Sequence, residues 1–294
     1  MPLKKIKQET AEALTLQWVL HVKNYKLALD KNICVGCQIC GLACPKEAIK
    51  VEKQLKNVWE KAKKPKVDVD LAKCNFCGIC DVLCPYGAIK VTLNGQHTLA
   101  VIEKESFPQP VRDIQVNPSK FPADFVGYKD VCPLNLIKIT QLQAEGAKET
   151  GTVIEIEKEK CPCCRVCEFK FPEGAIRVRK FMQGKIVIKP EKCPEGCTDC
   201  LDVCPIKGAL YLSDKDKKVH VDETFCVYCG ACKIVCPVND ALEVKRTWIN
   251  HTAVRSGAWN KAMERLTSPL EISKELKTKG SRKARESVSR RLKY

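Results

Sequence analysis

Histidine, methionine and aromatic side chains are scarce in this sequence. It has four His, three Met and only 6% Phe, Trp and Tyr among 294 residues. His21, His97, His220 and His251 lie apart without ligand spacing, so each is expected to be a surface or packing residue rather than a metal ligand. So few aromatic rings offer no stacking platform for single-stranded nucleic acid. No apolar run approaches the roughly 20 residues that span a bilayer, so no membrane is expected. The opening Met-Pro-Leu-Lys-Lys-Ile-Lys-Gln-Glu is not followed by the apolar stretch of a secretory leader. The expected setting is therefore reducing and cytoplasmic, where cysteines do not persist as disulfides.

Cysteine is what the sequence has in excess, at 21 residues. Cys34-Val35-Gly36-Cys37-Gln38-Ile39-Cys40-Gly41-Leu42-Ala43-Cys44-Pro45 reads C-x2-C-x2-C-x3-C-P. Structural zinc sites present pairs of ligands rather than compact runs of four ending in proline. The run is instead the one that holds cubane [4Fe-4S] clusters, with three thiolates on one cube and the fourth reaching to a neighbouring cube. It recurs, whole or altered, six times.

The runs divide the chain. After an N-terminal extension (1–25), residues 26–95 pair the Cys34 run with Cys74-x2-Cys77-x2-Cys80-x3-Cys84-Pro85. Crossed ligation predicts one cluster on Cys34, Cys37, Cys40 and Cys84, and another on Cys74, Cys77, Cys80 and Cys44. In the extension, Leu14–Val22 reads as a strand, an extra edge on this domain or a docking arm. Residues 52–66, with Lys53, Lys56, Lys61, Lys63 and Lys64, read as a solvated basic insert.

Residues 96–182 carry two half-runs. Cys132-Pro133 has Pro122, Phe125 and Tyr128 where three cysteines would stand. Cys161-x2-Cys164-x2-Cys167 is followed by Phe171-Pro172 in place of Cys-Pro. Under crossed ligation the four replaced positions all belong to one cluster, and Cys132, Cys161, Cys164 and Cys167 to the other. One cluster is thus expected to be missing as a unit, with aromatic rings filling its place because voids in packed interiors are costly. Cys163, inside the spacer, is expected to be a non-ligating neighbour.

Residues 183–246 pair Cys193-x3-Cys197-x2-Cys200-x3-Cys204-Pro205 with Cys226-x2-Cys229-x2-Cys232-x3-Cys236-Pro237. The predicted sets are Cys193, Cys197, Cys200 with Cys236, and Cys226, Cys229, Cys232 with Cys204. Cys193-x3-Cys197-x2-Cys200 is also the spacing of radical S-adenosylmethionine enzymes, but the continuing Cys-Pro pattern and the lack of a barrel-sized segment argue against that chemistry. Residues 247–294 form a basic helical tail. Ser268-Pro269 reads as a helix start, and Lys277–Tyr294 holds eight basic residues and one acidic one. Trp248, Trp259 and Leu266 suggest that this tail docks on another subunit.

The expected fold class is α+β: three tandem two-cluster ferredoxin-like domains, the middle one short of one cluster, with five [4Fe-4S] clusters in all. The formal charge of +16 would fall to about +6 with five oxidised clusters of about −2 each. The Cys-Pro runs, Glu191–Pro205 and the isolated Val131-Cys132-Pro133-Leu134 resemble archaeal polyferredoxins, above all the polyferredoxin subunit of formylmethanofuran dehydrogenase. The likeness spans residues 26–247. The resemblance implies a non-catalytic subunit that passes low-potential electrons to or from a tungsten or molybdenum site in a partner, where carbon dioxide is reduced. The same kind of wire could serve a hydrogenase or heterodisulfide reductase complex. An iron–sulfur nucleic-acid-binding protein is the alternative of another class.

Overall fold

A computed structural model describes residues 4–56, 60–121, 131–142, 151–253 and 257–267. Strands β1 (Lys4–Glu9), β2 (Ala13–Val19) and β3 (Asn24–Asp30) lead into helix α1 (Ile39–Ala43), strands β4 (Ile49–Glu52) and β5 (Lys66–Val69), helix α2 (Ile79–Leu83), strand β6 (Ile89–Leu93) and helix α3 (Ala100–Glu103). Next come β7 (Ile114–Val116), β8 (Ile137–Leu142), β9 (Gly151–Ile156), α4 (Val166–Lys170) and β10 (Ile176–Val178). Then follow β11 (Met182–Ile188), α5 (Asp199–Asp202), β12 (Leu210–Leu212), β13 (Val219–Val221), α6 (Ala231–Val235), β14 (Leu242–Ile249) and α7 (Gly257–Leu266).

One pairing scheme occurs three times. An outer antiparallel pair encloses an inner one: β3–β6 around β4–β5, β7–β10 around β8–β9, and β11–β14 around β12–β13. Pairing of these strands therefore stays within residues 4–93, 114–178 and 182–249, with none nested in another, and an isolated antiparallel bridge joins Pro110 to His251.

The first sheet is widened by two strands, giving the order β1-β2-β3-β6. Strand alternation explains why β2 adds on: Leu14 and Leu16 face Leu29 and Leu27, which in turn face Ile89 and Val91. All six are buried in one row on one side of the sheet. The Leu14–Val22 segment is thus an interior strand rather than an edge or an arm, because β1 covers its outer side.

Helices α1, α2, α4 and α6 have five residues each, too short to persist without tertiary support. Helix α7 is longer and amphipathic. Its Trp259, Ala262, Met263 and Leu266 are buried, Trp259 meets Phe107 edge-on at 5.3 Å, and the helix packs against α1. Arg265 reaches the Cys44 carbonyl (3.4 Å) and Glu47 (2.9 Å). The apolar residues expected to grip another subunit are therefore largely used within the chain, with Trp248 left half-exposed. The remaining tail, 268–294, lies outside the described residues.

The insert at 52–66 is also more than a solvated excursion. Lys56 pairs with the buried Asp199 carboxylate, the Ala62 amide donates to Asp202 (3.0 Å), and Lys64 bonds the Asn32 carbonyl (3.0 Å). Two acidic side chains of α5, 140 and 143 residues downstream of their partners, hold it.

Candidate iron–sulfur sites

The cysteine loops repeat one backbone device. The second spacer residue of each C-x2-C turn adopts positive φ: Gly36 (68°), Phe76 (55°), Cys163 (57°) and Tyr228 (53°). So does the residue preceding α1, α2, α4 and α6: Gln38, Gly78, Arg165 and Gly230. The Cys193 run departs from this, with Thr198 at φ −121° before α5. Such turns aim successive backbone N–H groups inward and form a nest for an anion. After Cys-Pro, an amide four residues on donates to the cysteine sulfur, from Ala48 to Cys44 (3.4 Å), Ala88 to Cys84 (3.2 Å) and Leu136 to Cys132 (3.4 Å).

The fourth cysteine of a run faces the triad of its partner run. Burial pushes the Cys34, Cys37 and Cys40 thiols above their usual range, and the Cys84 thiol adds repulsion to each. Burial and Cys44 do the same to Cys74, Cys77 and Cys80. Cys164 and Cys167 are raised to about 11 and about 12, first by burial, with Cys132 contributing to both. Burial, with Cys236 adding, raises Cys193 and holds Cys200 at about 12. Cys204, also pushed up to about 12 by burial, interacts with Cys226 and Cys229 and in turn raises Cys232.

Three of these quartets ring cavities with apolar walls. Cys204, Cys226, Cys229 and Cys232 line one, Cys132, Cys161, Cys164 and Cys167 a second, and Cys44, Cys74, Cys77 and Cys80 a third. Four thiolates on one zinc at about 2.3 Å would crowd together. Among the described residues no three His, Cys, Asp or Glu side chains converge that closely on one point. Spread thiols around an apolar hollow fit the corners of a cube instead. The donor set is all sulfur, which suits Fe–S chemistry.

Phe171 ends α4 in extended conformation (φ −81°, ψ 162°). Cys44, Cys84 and Cys236 end α1, α2 and α6 in the corresponding place. The chain path of a ligand turn is kept while the side chain is aromatic. Phe171 is buried and packs on Phe121 at 4.9 Å. Phe125, Tyr128 and Pro122 lie outside the described residues.

Cys163 is fully buried, with its sulfur 3.9 Å from the Cys161 carbonyl. Hydrogen bonding to Cys163 draws the Cys161 thiol down to about 7 against burial, with Arg112 assisting, while Cys163 itself is pushed up. His97 pairs with Asp81 (2.8 Å) and His220 with Asp216 (2.8 Å), so both serve local packing.

The sequence did not single out the cations that clasp cysteine carbonyls. Arg112 donates to Cys84 (3.0 Å) and Cys161 (2.9 Å), Lys218 to Cys193 (2.9 Å), Lys180 to Cys226 (2.8 Å), and Arg246 to Cys229 (2.6 Å). With Arg265 on Cys44, every thiol quartet has such a contact. The excess of basic residues was the available signal, but it does not say which of 51 are used.

Two families of 4Fe-4S dicluster domain match the chain, one at residues 33–88 and the other at residues 185–237. An uncharacterized ferredoxin of Methanocaldococcus jannaschii is 36% identical over 62 residues, 21% of this chain and 79% of that protein. The polyferredoxin-like subunit of aliphatic sulfonate oxidoreductase from Pyrococcus furiosus is 36% identical over 95 residues, 29% of this chain. That match spans only 53% of the relative's length. Among solved structures, a chain of the formate dehydrogenase–heterodisulfide reductase–formylmethanofuran dehydrogenase complex from Methanospirillum hungatei superposes with a TM-score of 0.77 at 29% identity. The superposition covers 91% of this chain and 92% of that one.

Proposed function

We propose that this chain, which belongs to the 4Fe-4S ferredoxin family, relays low-potential electrons through five [4Fe-4S] clusters within a larger oxidoreductase assembly. By class it is a ferredoxin-type electron carrier rather than a catalytic subunit. The observation that supports the reading is that three such quartets, each a triad with the fourth cysteine of the other run, line common apolar cavities, and that in the other two the fourth cysteine acts on the thiols of the triad. The clusters would be held by Cys34, Cys37, Cys40 and Cys84; by Cys74, Cys77, Cys80 and Cys44; by Cys132, Cys161, Cys164 and Cys167; by Cys193, Cys197, Cys200 and Cys236; and by Cys226, Cys229, Cys232 and Cys204. In this reading the three strand-pairing units are tandem ferredoxin-like domains, and the middle one has Phe171 where its second cluster would need a thiolate.

When bound, the clusters supply one-electron chemistry. The protein's part is to exclude water with the apolar cavity walls, to meet cluster charge with inward N–H groups, and to hold Arg112, Lys180, Lys218, Arg246 and Arg265 against the ligand loops. The partner supported best is a formylmethanofuran dehydrogenase assembly, since a chain of that complex shares nearly the full length of this fold. The same complex contains a heterodisulfide reductase, which keeps that enzyme as the second reading. Among the described residues no helix is long and apolar enough to cross a membrane.

The test is anaerobic purification with metal and sulfide analysis. Five cubanes require about 20 iron and 20 acid-labile sulfide per chain. Six clusters would overturn the missing-cluster argument, and two or three would overturn the relay. Subunits recovered with the chain under gentle anaerobic conditions identify the partner, and a recovered set lacking both oxidoreductases would refute both readings of it.

A further inference from the structure

Two thiol quartets far apart in sequence meet in the fold. Cys37, of the first unit, lies beside the loop that carries Cys229 in the third. A Cβ on Gly230 would stand 3.9 Å from the Cys37 carbonyl oxygen and 3.1 Å from an Arg246 nitrogen, and Gly230 has φ +89°. That conformation favours glycine, and a Cβ there would press on the Arg246 guanidinium. Tyr86 follows Cys84-Pro85 on the first unit, yet its ring lines the cavity ringed by Cys204, Cys226, Cys229 and Cys232. Tyr86 is buried, and its hydroxyl lacks a hydrogen-bond partner among the described residues. The Cys229 sulfur is a charge neighbour of that hydroxyl, with Cys37 and Cys204.

Arg246 completes the junction. It is 7% exposed, and its guanidinium donates to the carbonyls of Tyr228 (2.8 Å), Cys229 (2.6 Å) and Leu266 (3.5 Å). Among the described residues it forms no ion pair: Glu243, beside it in the same cleft, pairs with Lys245 at 3.3 Å. Lys233, Lys245 and Arg265 share that cleft, and the groups that favour the charged form of Arg246 are thiols of both quartets, Cys37 from the first unit and Cys226, Cys229 and Cys232 from the third. A buried cation without a carboxylate is costly unless something else balances it. Anionic clusters on either side would do so.

We propose that Tyr86 and Arg246 build a direct electron-exchange junction between the Cys34/Cys37/Cys40/Cys84 site and the Cys204/Cys226/Cys229/Cys232 site, so that the first and third units exchange electrons without passing through the middle one. The inference rests on the relay reading above. The step is a one-electron transfer: one cluster is oxidised as the other is reduced, and no bond is made or broken. Arg246 stabilises the reduced, more negative state of both clusters and so raises both potentials. With a cluster bound, the Tyr86 O–H would donate to the coordinated Cys229 thiolate. Both are positioning residues.

The test is a potentiometric titration of the holoprotein followed by electron paramagnetic resonance, comparing wild type with Arg246→Gln, Arg246→Lys and Tyr86→Phe at equal iron content. Variants losing one cluster each, Cys34→Ser and Cys226→Ser, assign the signals. Arg246→Gln should lower the potentials of these two clusters together and leave the other three in place, Arg246→Lys should restore part of the shift, and Tyr86→Phe should lower chiefly the third-unit cluster. Spin coupling between the two reduced clusters should vanish in either cluster-loss variant. If Arg246→Gln fails to retain iron, the Tyr86→Phe shift and the wild-type spin coupling decide. No coupling between this pair, or shifts confined to other clusters, would overturn the junction. A wild-type chain without cubanes would instead overturn the relay reading itself.

Discussion

Phe171 packs against Phe121 with ring centroids 4.9 Å apart and planes inclined by 57°, at the turn where α1, α2 and α6 end on cysteine. Two aromatic residues 50 positions apart thus close the space beside a turn of the ligand-bearing type. Phe171→Ala should open a cavity and cost about 3–5 kcal/mol, the usual range for removing a buried phenylalanine. The expected outcome is a lower unfolding temperature and faster loss of the middle cluster, with the other four clusters retained. Thermal denaturation and iron release measured side by side check it.

Cys132 and Cys163 should respond oppositely to substitution by serine. Cys132 lines the cavity ringed by Cys161, Cys164 and Cys167, whereas Cys163 stands in the spacer with its sulfur toward the Cys161 carbonyl. Cys132→Ser should reduce iron from about 20 to about 16 per chain, and Cys163→Ser should leave it at about 20. Equal loss in both variants would make Cys163 a ligand.

Removing α7 should harm the first unit. Trp259 is buried against Phe107, and α7 packs against α1, which carries Cys40. Trp259→Ala should destabilise the chain by about 3–5 kcal/mol and speed bleaching of the first-unit clusters in air. Truncation after residue 267 keeps α7 and should leave cluster stability unchanged. Visible absorbance decay in the two variants distinguishes these outcomes.

The contact between Lys56 and Asp199 ties the first unit's insert to the third unit. Lys56→Ala would leave the buried Asp199 carboxylate without its cation, which is costly. Hydrogen exchange should quicken at α5, and iron should leave the Cys193/Cys197/Cys200/Cys236 site earlier than the others. Unchanged exchange at α5 would show that the Ala62–Asp202 bond alone holds the insert.

Local chemistry was readable from the sequence alone, because it is written in short spacings. Three cysteines within seven residues define a loop whatever surrounds it, and Phe171-Pro172 announces an altered ligand turn because the tail after it is unchanged. The alternation at Leu14 and Leu16 likewise marked a strand, though not its neighbours. Only the tertiary structure decided what lies between the units. Arg112 joins the Cys84 and Cys161 carbonyls, Arg246 sits between thiols of the first and third units, Lys56 reaches Asp199, and α7 returns to α1. The bonds of Arg112, Lys56 and Arg265 span 28 to 221 residues of the chain. Their pairing depends on how three units, each with its own strand pairs, pack together, and no periodicity or spacing within a segment encodes that.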